Sequence, residues 1–133
     1  MMKRLSIVTT NRIEISDITA LIRQAIRDSG VLRGICTIYV PHTTSAITIN
    51  ENSDPAVKED LTNILNKVVP ADNKYLHTEG NSDAHIKASL IGASQTILVE
   101  NGKPVLGTWQ SIFFCEFDGP RTRSVLVKII SEK

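Results

Sequence analysis

Apolar residues recur along this chain with two periods, two and 3.6, and the switches between them divide it into short strands and three helices. From Leu5 to Ile15, β-branched and polar residues alternate roughly around Thr10-Asn11-Arg12, which predicts strand, turn, strand or one bent strand. Ile18, Leu21, Ile22, Ala25 and Ile26 then fall at i, i+3, i+4, i+7 and i+8, one face of a helix that Ser16 or Asp17 caps and Gly30 terminates. Gly34 to Val40 reads as an apolar strand broken by Pro41, and β character resumes from Ser45 to Ile49, so His42 falls at a strand junction.

Ser53-Asp54-Pro55 predicts the start of a second helix, with a capping side chain and proline in the first turn. Val57, Leu61, Ile64, Leu65 and Val68 form its apolar stripe and Pro70 ends it. After a polar stretch, Ser82 is the expected cap of a short helix that ends at Gly92 and carries His85 in its first turn. The remaining third is β: Thr96 to Glu100, an Asn101-Gly102 turn, a long run from Val105 to Phe117, a turn at Asp118-Gly119-Pro120-Arg121, and Arg123 to Ile130. An antiparallel meander is expected of these. Ile112-Phe113-Phe114-Cys115 is apolar on both sides, so its strand should be central, with helices on one face and another sheet or a subunit on the other. The predicted fold is α+β: a single domain over residues 1–133, with a largely antiparallel, two-layered or sandwich-like sheet and about three helices.

Composition narrows the function classes. A chain of 133 residues suits one core, and 15 Lys+Arg against 14 Asp+Glu with 5% aromatics advertises neither a nucleic-acid stripe nor stacking platforms. No apolar segment follows Met-Met-Lys-Arg-Leu-Ser, and the apolar runs are strand-sized, which predicts a cytoplasmic protein without membrane association. Cys36 and Cys115 each lie in an apolar β stretch with no Cys-x-x-Cys element, the pattern of inert core thiols.

The candidate chemistry rests on histidine. His42, His77 and His85 all sit in polar, turn-rich surroundings. Three converging neutral imidazoles would suit zinc or a related divalent ion and leave coordination positions open, and Glu51, Asp54 or Glu79 could orient a ring or act as a base. The eight-residue spacing of His77 and His85 matches no zinc-finger or His-Glu-x-x-His pattern, so the alternative of hydrogen-bonded or solvated histidines stays open. A helix start beside His85 favours a phosphate or other anion. Arg121 and Arg123, at i and i+2, would face the same way and clamp a pyrophosphate if β geometry has begun, or lie in a solvated turn with Asp118 as partner.

The segments His42-Thr43-Thr44-Ser45-Ala46 with Asn50-Glu51-Asn52 and Asp54, His77 through Gly80-Asn81-Ser82-Asp83-Ala84-His85, and Leu106-Gly107-Thr108-Trp109-Gln110 through Glu116-Phe117-Asp118-Gly119-Pro120-Arg121 resemble the YjbQ family. The resemblance covers nearly the whole chain. It implies a homotrimer and an activity of the secondary thiamine-phosphate synthase kind, weak or promiscuous, joining hydroxymethylpyrimidine pyrophosphate to thiazole phosphate with release of pyrophosphate. It also implies His42, His77 and His85 as the metal-binding set. Beside it, the residues suggest Glu51, Asp54 and Arg121 as catalytic groups, and Thr44, Asn81, Ser82, Gln110, Arg121 and Arg123 as contacts to a small phosphorylated substrate. The alternatives are a metal-dependent hydrolase of such a substrate and a non-catalytic trimer that binds a metal or an anion.

Overall fold

Alternation along the strands sorts side chains between two antiparallel sheets and the three helices that cover them. A computed structural model describes residues 2–133. The elements run β1 (Met2–Val8), β2 (Glu14–Asp17), α1 (Thr19–Ser29), β3 (Gly34–Tyr39), β4 (Ser45–Glu51), α2 (Pro55–Val68), α3 (Ser82–Ile91), β5 (Ser94–Glu100), β6 (Lys103–Pro104), β7 (Gln110–Glu116) and β8 (Thr122–Ser131). One sheet has the order β1-β8-β3-β5-β6 and the other β2-β7-β4. The predicted α+β sandwich is what forms. None of the described helices is long and apolar enough to cross a membrane.

The two sheets meet over one core. Ile7, Cys36, Ile38, Ile97, Val99, Val125 and Val127 from the first pack with Ile47, Ile112 and Phe114 from the second, and α1 adds Ile22, Ala25 and Ile26. Its stripe is buried as the periodicity requires, except that Leu21 stays 43% exposed. The other face of β7 presents Phe113 and Cys115 to Ala46, Ala84 and Ala88, so the small side chains of α3 let that helix lie close on the three-stranded sheet. The strand that reads as apolar on both sides is therefore covered within the chain, by a sheet on one face and helices on the other.

Four local expectations change. The C-terminal third is not a meander: β5 and β8 flank β3 in one sheet while β7 lies in the other. Residues 105–109 carry the chain between sheets, so the run from Val105 shortens to Gln110–Glu116. The Asn101-Gly102 turn does form, with φ of 52° and 70°, and joins β5 to β6. In α2 no residue is fully buried, and Ile64 and Val68 remain 56% and 68% exposed. At α3 the cap position belongs to Asn81 rather than Ser82, which is the first helical residue.

Candidate functional site

The strand ends β3 and β7, and the start of β8, open onto a polar cleft of about 560 Å³. His42 and Thr44 reach it from the loop after β3, Asn81 and His85 from the start of α3, and Arg121 from the turn before β8. Glu79 and Asp118 bring negative charge to the same walls.

His42 is held by the sheet. The Ser124 backbone N–H donates to its Nε2 at 2.9 Å. That bond needs a lone pair on Nε2, so the ring is uncharged and its proton sits on Nδ1. Burial, reinforced by the nearby Arg123 charge, holds the His42 pKa below its ordinary value. His42 is thereby set as a hydrogen-bond donor through Nδ1.

Beneath the cleft lies an ion pair whose sequence signal is phase. Glu116 is in step with Ile112 and Phe114 along β7, and Arg123 with Val125 and Val127 along β8, so alternation points both charges into the space between the sheets. Both are almost fully buried. Arg123 donates from Nε to Glu116 Oε1 at 2.9 Å and from Nη2 to Glu116 Oε2, and also reaches Thr44 Oγ1 at 2.7 Å. Thr9 Oγ1 donates to the same carboxylate at 2.8 Å and the Asp118 amide at 3.1 Å. Burial alone would raise the Glu116 carboxyl; the bonds from Arg123, Asp118 and Thr9 outweigh it and hold the group below its ordinary value. The expected pair of free guanidinium groups is thus corrected. Arg123 is engaged inside the fold with Glu116 and Thr44.

Arg121 stays at the surface, because β8 begins only at Thr122. Its Nε donates to the Asp118 carbonyl at 2.9 Å and its Nη2 to the Asp118 carboxylate at 3.0 Å. Asn81 Nδ2 donates to that carboxylate at 2.9 Å, while the buried Asn81 Oδ1 has no partner. A second buried network holds α3 in place. Arg12 grips Asp83 with two bonds of 2.9 and 3.1 Å, and Lys87 reaches Asp83 at 3.2 Å and Asn66 of α2 at 2.7 Å. Burial works against the Asp83 charge, but Arg12 and Lys87 prevail and lower its pKa. The sequence reading missed Glu116, Asp83 and Lys87, whose signal was a charge in phase with buried neighbours, and Arg12, whose position in the turn before β2 carries no such signal.

The structure brings together only part of the expected site. His77 and His85 meet edge to face, ring centroids 5.2 Å apart, but His77 lines a neighbouring cavity with Tyr75 and Ser82 and lies 3.8 Å from Glu79. Ser82 is thereby turned away from the cleft. Asp54 caps α2 by accepting from the Ala56 amide at 3.0 Å, and Glu51 pairs with Gln110 across β4 and β7. Seven residues of β4 carry Glu51 away from the His42 end, and Gln110 turns its Oε1 to the Gly107 amide at 2.7 Å. Glu51, Asp54 and Gln110 therefore do not line the cleft.

Nor do the three imidazoles form a ligand set within one chain. Among the described residues no three His, Cys, Asp or Glu side chains are grouped to hold a metal ion. The chemistry of His42 gives the reason: its Nε2 lone pair is taken by Ser124 and its Nδ1 carries the proton, so neither nitrogen is free to coordinate.

A short sandwich of two antiparallel sheets with a polar, histidine- and arginine-walled cleft at one end is the class that fold and site define. Residues 3–132 match the family described as UPF0047 protein YjbQ-like, and the chain belongs to that family. It is 57% identical to UPF0047 protein MJ1081 of Methanocaldococcus jannaschii, covering 100% of this chain and 96% of the relative. It is 50% identical to UPF0047 protein YugU of Bacillus subtilis, covering 98% and 99%. A crystal structure of a yjbq/upf0047 family protein from Clostridium acetobutylicum superposes with a TM-score of 0.94 at 55% identity, over 96% of this chain and 99% of that one. A YbjQ-like protein from Sulfolobus solfataricus gives 0.95 at 35% identity, over 99% and 97%.

Proposed function

We propose that the cleft binds a small phosphorylated substrate and supports a transfer of the secondary thiamine-phosphate synthase kind. The observation that carries this reading is the assembly of His42, His85, Asn81, Arg121 and the start of α3 on one cleft. In such a transfer the bond between a pyrimidine methylene and pyrophosphate breaks, pyrophosphate leaves with the electron pair, and the thiazole nitrogen supplies the pair for the new carbon–nitrogen bond. Charge therefore develops on the leaving group. Arg121, the first-turn amides of α3 and the His42 Nδ1 proton are the groups that would stabilise it. No covalent nucleophile is needed.

A bound zinc would add a further positive charge beside the leaving group. The residues as placed do not fit a three-histidine site, because His42 would first have to release Ser124, and no step above depends on the ion.

Oligomer and location complete the proposal. Ile35, Leu98 and Ile130 are cross-strand neighbours in the five-stranded sheet, and each is at least 37% exposed. Covering this face with a second and third copy would give the homotrimer that the sequence resemblance implies. Two buried free thiols, Cys36 and Cys115, agree with a reducing, cytoplasmic setting.

The test is synthesis of thiamine phosphate from hydroxymethylpyrimidine pyrophosphate and thiazole phosphate by purified protein, with rescue of an auxotroph lacking its main synthase. Arg121→Ala and His42→Ala should each lower the rate by about 10²-fold, the order expected for removing one donor to developing charge. Equal rates in all three proteins would overturn the reading. Pyrophosphate release without thiazole phosphate would instead assign a hydrolase.

A further inference from the structure

Beside the cleft lies a second solvent-open pocket of about 380 Å³, and the two share His42, Thr43 and His85 as a common wall. The rest of its lining is Ser45, Ala88, Ser89, Gly92 and Ala93, with no Asp, Glu, Lys or Arg. Its far wall is braced by backbone, since the Val40 amide donates to the Ala93 carbonyl at 2.9 Å and the Ile47 amide to the Gly92 carbonyl at 3.1 Å. The cavity is thus built by the junction of β3, β4 and α3.

One buried group in it is unaccounted for. Ser45 is 1% exposed, yet its hydroxyl has no hydrogen-bond partner. Ser89, in the same wall, already donates to the His85 carbonyl at 2.9 Å. Leaving a buried hydroxyl unpaired is unfavourable, so such groups ordinarily meet a side chain, a water or a ligand.

We infer that the site is bipartite: the arginine-walled cleft takes the phosphate end of a substrate, and the uncharged chamber takes a small nitrogen heterocycle that hydrogen-bonds the Ser45 hydroxyl. The inference rests on the transfer reading above for the direction in which the substrate lies. The division follows from charge: Arg121 and the α3 start face one compartment, and the other offers only hydroxyls, imidazole edges and small apolar side chains. The His42 and His85 rings stand between them, where a bond joining the two ends of a substrate would lie.

Ser45→Cys places a reporter in the chamber. The native thiols give little background, because burial shields both and pushes Cys36 up to about 11 and Cys115 up to about 12. A small uncharged thiol reagent should modify the introduced thiol in the folded protein. Free hydroxymethylpyrimidine should slow that reaction, and inorganic pyrophosphate alone should not. As an independent measurement, Ser45→Ala should weaken hydroxymethylpyrimidine binding about three- to tenfold, the loss of one hydrogen bond, and leave pyrophosphate affinity unchanged.

A thiol that reacts only after unfolding would overturn the inference, as would unaltered pyrimidine binding by Ser45→Ala. Equal protection by pyrophosphate would overturn the division into two compartments. Pyrimidine protection in a protein that fails to make thiamine phosphate would keep the chamber and remove the synthase reading.

Discussion

The two ends of β7 close the sandwich by opposite means. At Ile112 the strand meets α1: the Ile18 amide donates to the Ile112 carbonyl at 2.9 Å, Thr19 Oγ1 accepts from the Ile112 amide at 2.8 Å, and Ile22 and Ile26 fill the space behind. At Glu116 the same strand meets Arg123, Thr9 and Thr44, and the space between the sheets is filled by charge and hydroxyl. The apolar end needs volume and two hydrogen bonds to the start of α1. The charged end needs each partner in place, because either ion alone would be buried without its counter-charge. That demand is what fixes the Asp118 and Arg121 turn against the cleft.

Breaking the charged end should cost most. Arg123→Met leaves Glu116 without its counter-charge and should lower stability by about 3–5 kcal/mol in urea unfolding. Adding Glu116→Gln should recover part of that loss, since the stranded charge is gone. A double variant no more stable than the single one would show that pairing is not what matters there.

Breaking the apolar end comes next. Ile26→Ala should cost about 2–4 kcal/mol through the cavity it leaves. Pyrophosphate affinity of the folded variant should match that of the parent; a large loss would mean that the two ends are coupled.

Gly119→Ala sharpens the contrast within the charged end alone. A Cβ there would lie 2.3 Å from the Asn11 carbonyl oxygen and 2.9 Å from Thr9 Oγ1, so the turn must shift by a fraction of its packing distance. The cost should be about 1–3 kcal/mol, accompanied by weaker pyrophosphate binding because Arg121 moves with the turn. Retained affinity would separate the turn from the cleft.

The smallest effect is on pH dependence. Glu116 in the folded chain lies below its ordinary 4.5, so it contributes stability that is present above that value and disappears as pH falls through the lower, folded value. Asp83 acts in the same sense from 3.8 downward. Acid unfolding should therefore be less steep in Glu116→Gln, while Ile26→Ala should keep the parental slope. Parallel acid profiles for Glu116→Gln and the parent would remove the carboxylate from that account.

The same contrast explains what the sequence discloses. Ile18, Ile22, Ala25, Ile26 and Gly30 announce α1 because every signal there agrees, and Asn101-Gly102 announces its turn through the backbone freedom of those residues. Strand partnership is different, since it depends on where residues 105–109 lead the chain, and those residues carry no period of their own. In the site, His42, His85, Asn81, Thr44 and Arg121 stood out as polar residues at junctions, and they do share a cleft with Arg123. Their distances were not readable. Glu51, Asp54 and Gln110 looked equivalent by position but lie at the other end of β4 and β7. Arg123 looked like a twin of Arg121, and a strand boundary one residue wide separates them into core and surface.

Pairing of β3 with β8 stops at Tyr39 opposite Leu126, just before Pro41 turns the chain away. Two positions back along β8, the Ser124 amide would have lost its neighbour on the β3 side, and the His42 ring takes that vacated rung of the ladder. A side chain thus stands in for a strand residue inside a sheet. Adding a proton to that nitrogen would be an act of unzipping: the bond on the β3 side of Ser124 would open in the same event that charges the cleft, while β1 keeps its hold on the strand, tying local order to the acidity of whatever the cleft holds.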